Sequence, residues 1–130
     1  MKHKGDLAKG WFLKGDSDLA TAKYTIGSEG PYDTACFHAQ QAVEKYLKAV
    51  LAFTGRDIPR THDLEEIQLL CVNFISHPDF GDLALEELSD YAVSVRYDFE
   101  FWPDVNTAQE ALATAKRVRQ IVMLEMEISE

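Results

Sequence analysis

The chain has 130 residues and carries 13 lysines and arginines against 22 aspartates and glutamates, for a formal net charge of −9. That length predicts one domain over residues 1–130, and 46% hydrophobic with 27% charged residues marks a folded, soluble protein rather than a disordered one. No apolar run reaches the ~18 residues of a membrane span, no apolar segment follows the N-terminus as in a secretory leader, and the acidic balance argues against charge-driven coating of nucleic acid; a cytoplasmic location is expected.

The periodicity is helical almost throughout. A first helix is predicted from about Asp6 to Thr25, with Leu7, Trp11, Phe12, Leu19, Ala22 and Ile26 spaced by threes, fours and sevens. Gly27-Ser28-Glu29-Gly30-Pro31 breaks it. A second helix starts at Asp33, read as its N-cap, and runs to about Thr54. It is apolar around most of its circumference, which predicts a central place in the core; its polar residues His38, Gln41, Lys45 and Lys48 form a narrow stripe. Gly55 is a C-terminal stop. Asp63-Leu64-Glu65-Glu66 resembles a capping box and opens a short third helix to about Val72. An irregular stretch from Asn73 to Asp82 carries Pro78 and Gly81. A fourth helix is predicted over about Leu83 to Tyr97, then Tyr97, Phe99, Phe101 and Trp102 crowd the segment before Pro103. A fifth runs from about Thr107 to Ile128. With no strand or repeat in sight, the fold class is all-α: an antiparallel up-and-down four-helix bundle with an additional short helix.

The charge is unevenly placed. Residues 1–62 hold nine bases and seven acids, residues 111–130 balance at three and three, and residues 63–110 hold twelve acids with a single base, Arg96. A lone arginine in an acidic stretch is a feature to follow.

Several chemistries leave no trace. There is no phosphate-cradling glycine loop, and Gly27-x-x-Gly30 is a turn between helices. His38, His62 and His77 sit singly; His62 with Asp63, or His77 with Asp79, would need ligands from elsewhere to hold a metal, so capping and surface roles are favoured, and neither metal nor cofactor is expected. No serine has the glycine context of a nucleophile elbow. Cys36 and Cys71 lie far apart inside apolar patterns and read as small buried hydrophobes.

Two candidates remain. The stripe of His38, Gln41 and Lys45 either faces solvent, with Glu44 and Lys48 as a local pair, or meets a partner. Arg96 either pairs with Glu100 and caps helix-end carbonyls, or stands beside exposed aromatic rings as a surface for bases and phosphate. Asp98, Glu100 and Asp104 oppose the second role, because they repel phosphate.

The segment Tyr32-Asp33-Thr34-Ala35-Cys36-Phe37-His38-Ala39-Gln40-Gln41-Ala42-Val43-Glu44-Lys45-Tyr46-Leu47-Lys48-Ala49 resembles the signature helix of the HEPN domain family (higher eukaryotes and prokaryotes nucleotide-binding), in its small stand-alone prokaryotic type. Thr61-His62-Asp63-Leu64, Arg96-Tyr97, and the opening Ala8-x-x-Trp11 and Asp18-Leu19-x-x-Ala22 fit the same pattern, so the resemblance covers nearly the whole chain. It implies a helical bundle, usually homodimeric, often encoded beside a minimal nucleotidyltransferase as a toxin–antitoxin pair. Several members are metal-independent ribonucleases whose site is an arginine followed, after four to six residues, by a histidine. Here the arginine position is Arg96, but Phe101, Trp102 and Pro103 occupy the histidine positions. Arg56 and His62 have that spacing but lie before the third helix, outside the expected site. Loss of the acid–base group costs typically 10²–10⁴-fold in rate, which favours binding over cleavage.

The expectation is therefore a non-catalytic, homodimeric HEPN-like protein that binds nucleotide or RNA, or partners a minimal nucleotidyltransferase. The candidate binding residues are Arg96, Tyr97, Asp98, His38, Gln41 and Lys45; Tyr97, Phe99, Phe101 and Trp102 are the candidate dimer contacts, and a dimer mate would bring Lys45, Lys48 or Lys116-Arg117 toward Arg96. The alternatives are a ribonuclease that uses Arg96 with His38 or Asp98 as acid–base group, and a pure protein-interaction module. No membrane or long double-stranded DNA partner is expected.

Overall fold

The computed structural model describes residues 4–127, and among these there is no strand. The helices are α1 (Lys4–Gly27), α2 (Tyr32–Phe53), α3 (Leu64–Cys71), α4 (Glu86–Tyr97) and α5 (Val105–Glu125), with 3₁₀ turns at Val72–Phe74 and Phe80–Asp82. They form an antiparallel up-and-down four-helix bundle of α1, α2, α4 and α5, with the short α3 as an accessory. Helix α2 occupies the centre: it packs on all four of the others, most extensively on α1. Its apolar circumference explains this placement, since Ala35, Cys36, Ala39, Ala42, Val43, Tyr46, Leu47 and Val50 are all buried.

The ends of the helices are set by local chemistry. Helix α2 closes at the expected glycine: Arg56 N–H donates to Leu51 O at 2.9 Å and Gly55 N–H to Ala52 O at 3.1 Å, with Gly55 at φ +78°. That is a Schellman motif, and its left-handed residue favours glycine. The start of α2 differs from expectation. Pro31 is the N-cap, and Asp33 lies inside the first turn, where a carboxylate still meets the positive end of the helix dipole. Helix α3 is capped by Asp63 as expected, its side chain accepting from Glu65 N–H at 3.0 Å and Glu66 N–H at 3.4 Å.

Two predicted boundaries shift. Helix α4 begins at Glu86 rather than Leu83. The side-chain amide of Gln68 on α3 donates to Phe80 O at 2.9 Å and Leu83 O at 3.1 Å, and this holds the preceding segment in a 3₁₀ turn and an extended link. Helix α5 begins at Val105 because Asp104 caps it, accepting from Thr107 N–H at 2.9 Å. That bond holds the Asp104 carboxyl below its usual pKa range. The predicted end of α5 at Ile128 lies outside the described residues. No described helix is long and apolar enough to cross a membrane.

Gly15 marks the closest approach of α1 to α2. A Cβ there would sit 2.7 Å from Tyr46 Cε1 and 2.8 Å from Cδ1. The ring cannot yield, because Tyr46 is fully buried and its hydroxyl donates to Asp16 Oδ1 at 2.6 Å. Gly15→Ala should therefore lower stability in urea unfolding by about 1–3 kcal/mol, the usual range for overpacking. Gly10→Ala in the same helix, where no atom lies within 4 Å of the new methyl, should raise stability by about 0.5–1 kcal/mol.

Candidate functional site

Three carboxylates bind the neighbours of α2 to it. Asp16 on α1 accepts from Tyr46 on α2 and, at 2.8 Å, from Arg119 Nε on α5. The Arg119 guanidinium also lies over the Phe12 ring, 5.3 Å from its centroid. Burial, followed by the bond to Asp16, pushes the Tyr46 phenol well above its ordinary pKa, so Tyr46 stays a neutral donor. Asp18, two residues along α1, accepts from His38 Nδ1–H at 2.8 Å and from Lys45 Nζ at 2.5 Å.

The third carboxylate belongs to α2 itself. Glu44 has only 5% of its side chain exposed. Its Oε2 accepts from Lys48 Nζ at 3.0 Å, and its Oε1 from His62 Nδ1–H at 2.8 Å and Gln40 Nε2 at 3.3 Å. Lys48 is also buried, with its ammonium 5.7 Å from the Trp11 ring centroid. The Gln40 amide donates to His62 O as well, and Gln41 Nε2 donates to Gln40 Oε1 at 2.7 Å. The segment before α3 is thus fastened to α2 at His62. Since a carboxylate only accepts, His38 and His62 both carry their proton on Nδ1 and turn Nε2 away from it.

Arg96 forms a different corner, at the C-terminal end of α4. Its Nε donates to Ala92 O at 2.9 Å, so the expected contact with helix-end carbonyls forms and the pair with Glu100 does not. The guanidinium stands over two rings, 5.7 Å from the Phe37 centroid on α2 and 5.3 Å from the Tyr97 centroid. Among the described residues Arg96 has no carboxylate partner, although it is the only base in a segment with twelve acids. Asp98 folds back to accept from Glu100 N–H at 3.0 Å and shapes the turn that follows. On that turn Tyr97, Phe99 and Trp102 are 69%, 85% and 75% exposed. Phe101 instead packs on Tyr91, with ring centroids 5.3 Å apart.

The residues singled out in the sequence therefore fall into two groups. Arg96, Tyr97 and Asp98 share one corner. His38 and Lys45 share Asp18, and Gln41 joins the Gln40–Glu44 network, so the α2 stripe is engaged with carboxylates inside the protein rather than with open solvent. Phe37 touches both groups: its ring meets Arg96 and lies 5.6 Å from the His38 ring, edge on. Lys48 pairs with Glu44 as a local i,i+4 pair, but in the core instead of on a solvated face. Arg56 lies over Phe74 and His62 on Glu44, so their spacing builds no shared site. Among the described residues no group of three or more His, Cys, Asp and Glu is arranged to hold a metal ion. His77 Nδ1 accepts from Asp79 N–H. Cys36 and Cys71 are fully buried free thiols whose pKa burial pushes up to about 12.

Asp16, Asp18 and Arg119 are absent from the sequence candidates. The bonds of Asp16 and Asp18 to α2 and α5 span 20 to 103 positions along the chain, beyond the reach of any helical repeat.

Comparison with known proteins gives a consistent answer. The family model for the HEPN domain matches residues 8–126. Among solved structures, TT1696 from Thermus thermophilus is similar at 25% identity and a TM-score of 0.76, over 91% of this chain and 97% of that one. ST0689, an archaeal HEPN homologue, is similar at 25% identity and a TM-score of 0.72, over 97% of this chain and 99% of that one. No curated protein sequence matches the chain.

The Glu44 network sets an energetic expectation. Glu44→Ala strands a buried ammonium and should cost about 3–5 kcal/mol in urea unfolding. The double change Glu44→Leu with Lys48→Met should recover most of that loss, because a buried pair exchanged for apolar groups of similar volume is often neutral. Equal losses in the single and double variants would show that the two charges are not coupled.

Proposed function

Because the chain belongs to the HEPN domain family, we propose that it is a cytoplasmic, homodimeric binding protein that holds the phosphate of a nucleotide or of an RNA end at Arg96 without cleaving it. One observation carries this reading. The Arg96 guanidinium is exposed, lies against two aromatic rings, and is left without a carboxylate in the most acidic part of the chain. Its Nε is spent on Ala92 O, which fixes the planar group while its other N–H donors remain for a ligand. Tyr97, Phe99 and Trp102 offer rings for a base to stack on or for the second subunit to cover. Cleavage lacks its usual acid–base group, since Phe101, Trp102 and Pro103 stand where the histidine would be.

The family relationship adds a partner to this proposal: a minimal nucleotidyltransferase, with which the chain would form a toxin–antitoxin-like module. A second reading, metal-independent ribonuclease action, has one observation in its favour. Asp18 orients His38 through Nδ1, and a single aromatic ring, Phe37, separates the imidazole from Arg96.

Titration calorimetry with nucleoside mono- and triphosphates and a short single-stranded RNA tests the binding proposal. Arg96→Ala should weaken the bound ligand by about 10- to 100-fold, the worth of a charge-assisted hydrogen bond, and purified protein should leave RNA intact. Absence of binding across the panel, or undiminished binding by Arg96→Ala, would overturn it. Metal-independent cleavage abolished by His38→Ala would install the ribonuclease in its place.

A further inference from the structure

The acidic segment builds a second surface, which begins one turn back along α4 from Arg96, at Ala92 and Val93. The start of α3 and the first turns of α4 enclose an open groove of about 320 Å³, where Asp63, Glu65, Glu86 and Asp90 supply the walls with His62 between them. Antiparallel packing sets the direction of the two helices. Leu64 N–H donates to Ser89 Oγ at 2.9 Å, while Gln68, one turn on, reaches the carbonyls of Phe80 and Leu83.

Two exposed apolar side chains belong to this face. Val93, 59% exposed, lines the groove itself, and Leu69, 73% exposed, stands one turn beyond Glu65 on the same edge of α3. Because the helices run antiparallel, Leu69 and Val93 fall toward opposite ends, with carboxylates between them. Among the described residues Glu65, Glu86 and Asp90 have no cationic partner; of the twelve acids in residues 63–110, only Asp79 pairs with an arginine, Arg117. Asp90 also borders the neighbouring cleft, where Glu87, Asp98 and Glu100 continue the negative surface.

We propose that the α3–α4 groove docks a cationic segment of a partner protein, with lysines or arginines on the central carboxylates and apolar side chains against Leu69 and Val93. Charge selects this occupant. RNA and a second copy of this groove both bring more negative charge to a face that already repels itself, whereas a basic segment neutralises it. The two apolar side chains supply contact area that a bare acidic surface lacks. This surface operates whether or not Arg96 holds a nucleotide.

The test uses the full chain, labelled for amide chemical-shift mapping, and a synthetic helix-forming peptide with lysines at its centre and leucines at both ends. Shifts should gather at residues 62–65, at Leu69 and at residues 86–93. Affinity should fall about tenfold or more for Glu86→Lys with Asp90→Lys, and severalfold for Leu69→Ser with Val93→Ser. All four positions are exposed or border solvent, and far-UV circular dichroism confirms that the variants fold. Arg96→Ala should bind the peptide no more weakly than the parent, since it removes a positive charge beside the groove, and this separates the surface from the nucleotide site. The proposal is overturned if shifts spread over the whole surface or collect on the aromatic turn. It also falls if the charge-reversed variant binds undiminished, or if a short RNA or self-association fills the groove instead.

Discussion

Helix α2 carries a carboxylate, an ammonium and an amide (Glu44, Lys48 and Gln40) into a setting with almost no water, because its neighbours cover it on nearly every side. A charge taken out of water is costly unless a partner and hydrogen bonds replace the solvent. Glu44 meets that condition through Lys48, His62 and Gln40 together, and no described buried side-chain nitrogen or oxygen lacks a partner. The consequence reaches past α2. The chain leaving Gly55 must return so that His62 lands on Glu44, and this fixes where α3 begins and hence how α3 meets α4.

The same logic separates holding from binding among the charged residues. On α1 and α2 each carboxylate in these networks is saturated: Asp16 by Tyr46 and Arg119, Asp18 by His38 and Lys45. Such groups have little left to offer a ligand. At the far end of α4 the situation reverses, and Arg96 keeps donors in reserve beside rings that face outward. Phe37 is in contact with both regions, so the position of the Arg96 guanidinium is braced by the same helix that the carboxylates hold in place.

How much of this is legible in the sequence depends on distance along the chain. The order of the helices and the central place of α2 follow from apolar spacing that repeats within a few residues, and Gly55 and Asp63 act on their immediate neighbours. The start of α4 departs from its pattern because Gln68, on another helix, takes the Phe80 and Leu83 carbonyls. The partners of His38 and Lys45 are invisible for the same reason, since only the folded bundle brings Asp18 to them. Arg96 can be picked out because it is alone among acids, a property of composition that survives without coordinates.

The two thiols carry a consequence for the protein in its cell. Oxidants attack thiolates, and burial disfavours the thiolate form of both residues, pushing their pKa up to about 12. Cys36 and Cys71, enclosed by the helices, should therefore react slowly with peroxide and in disulfide exchange. The packing that builds the core around α2 thus also keeps both thiols out of contact with solvent.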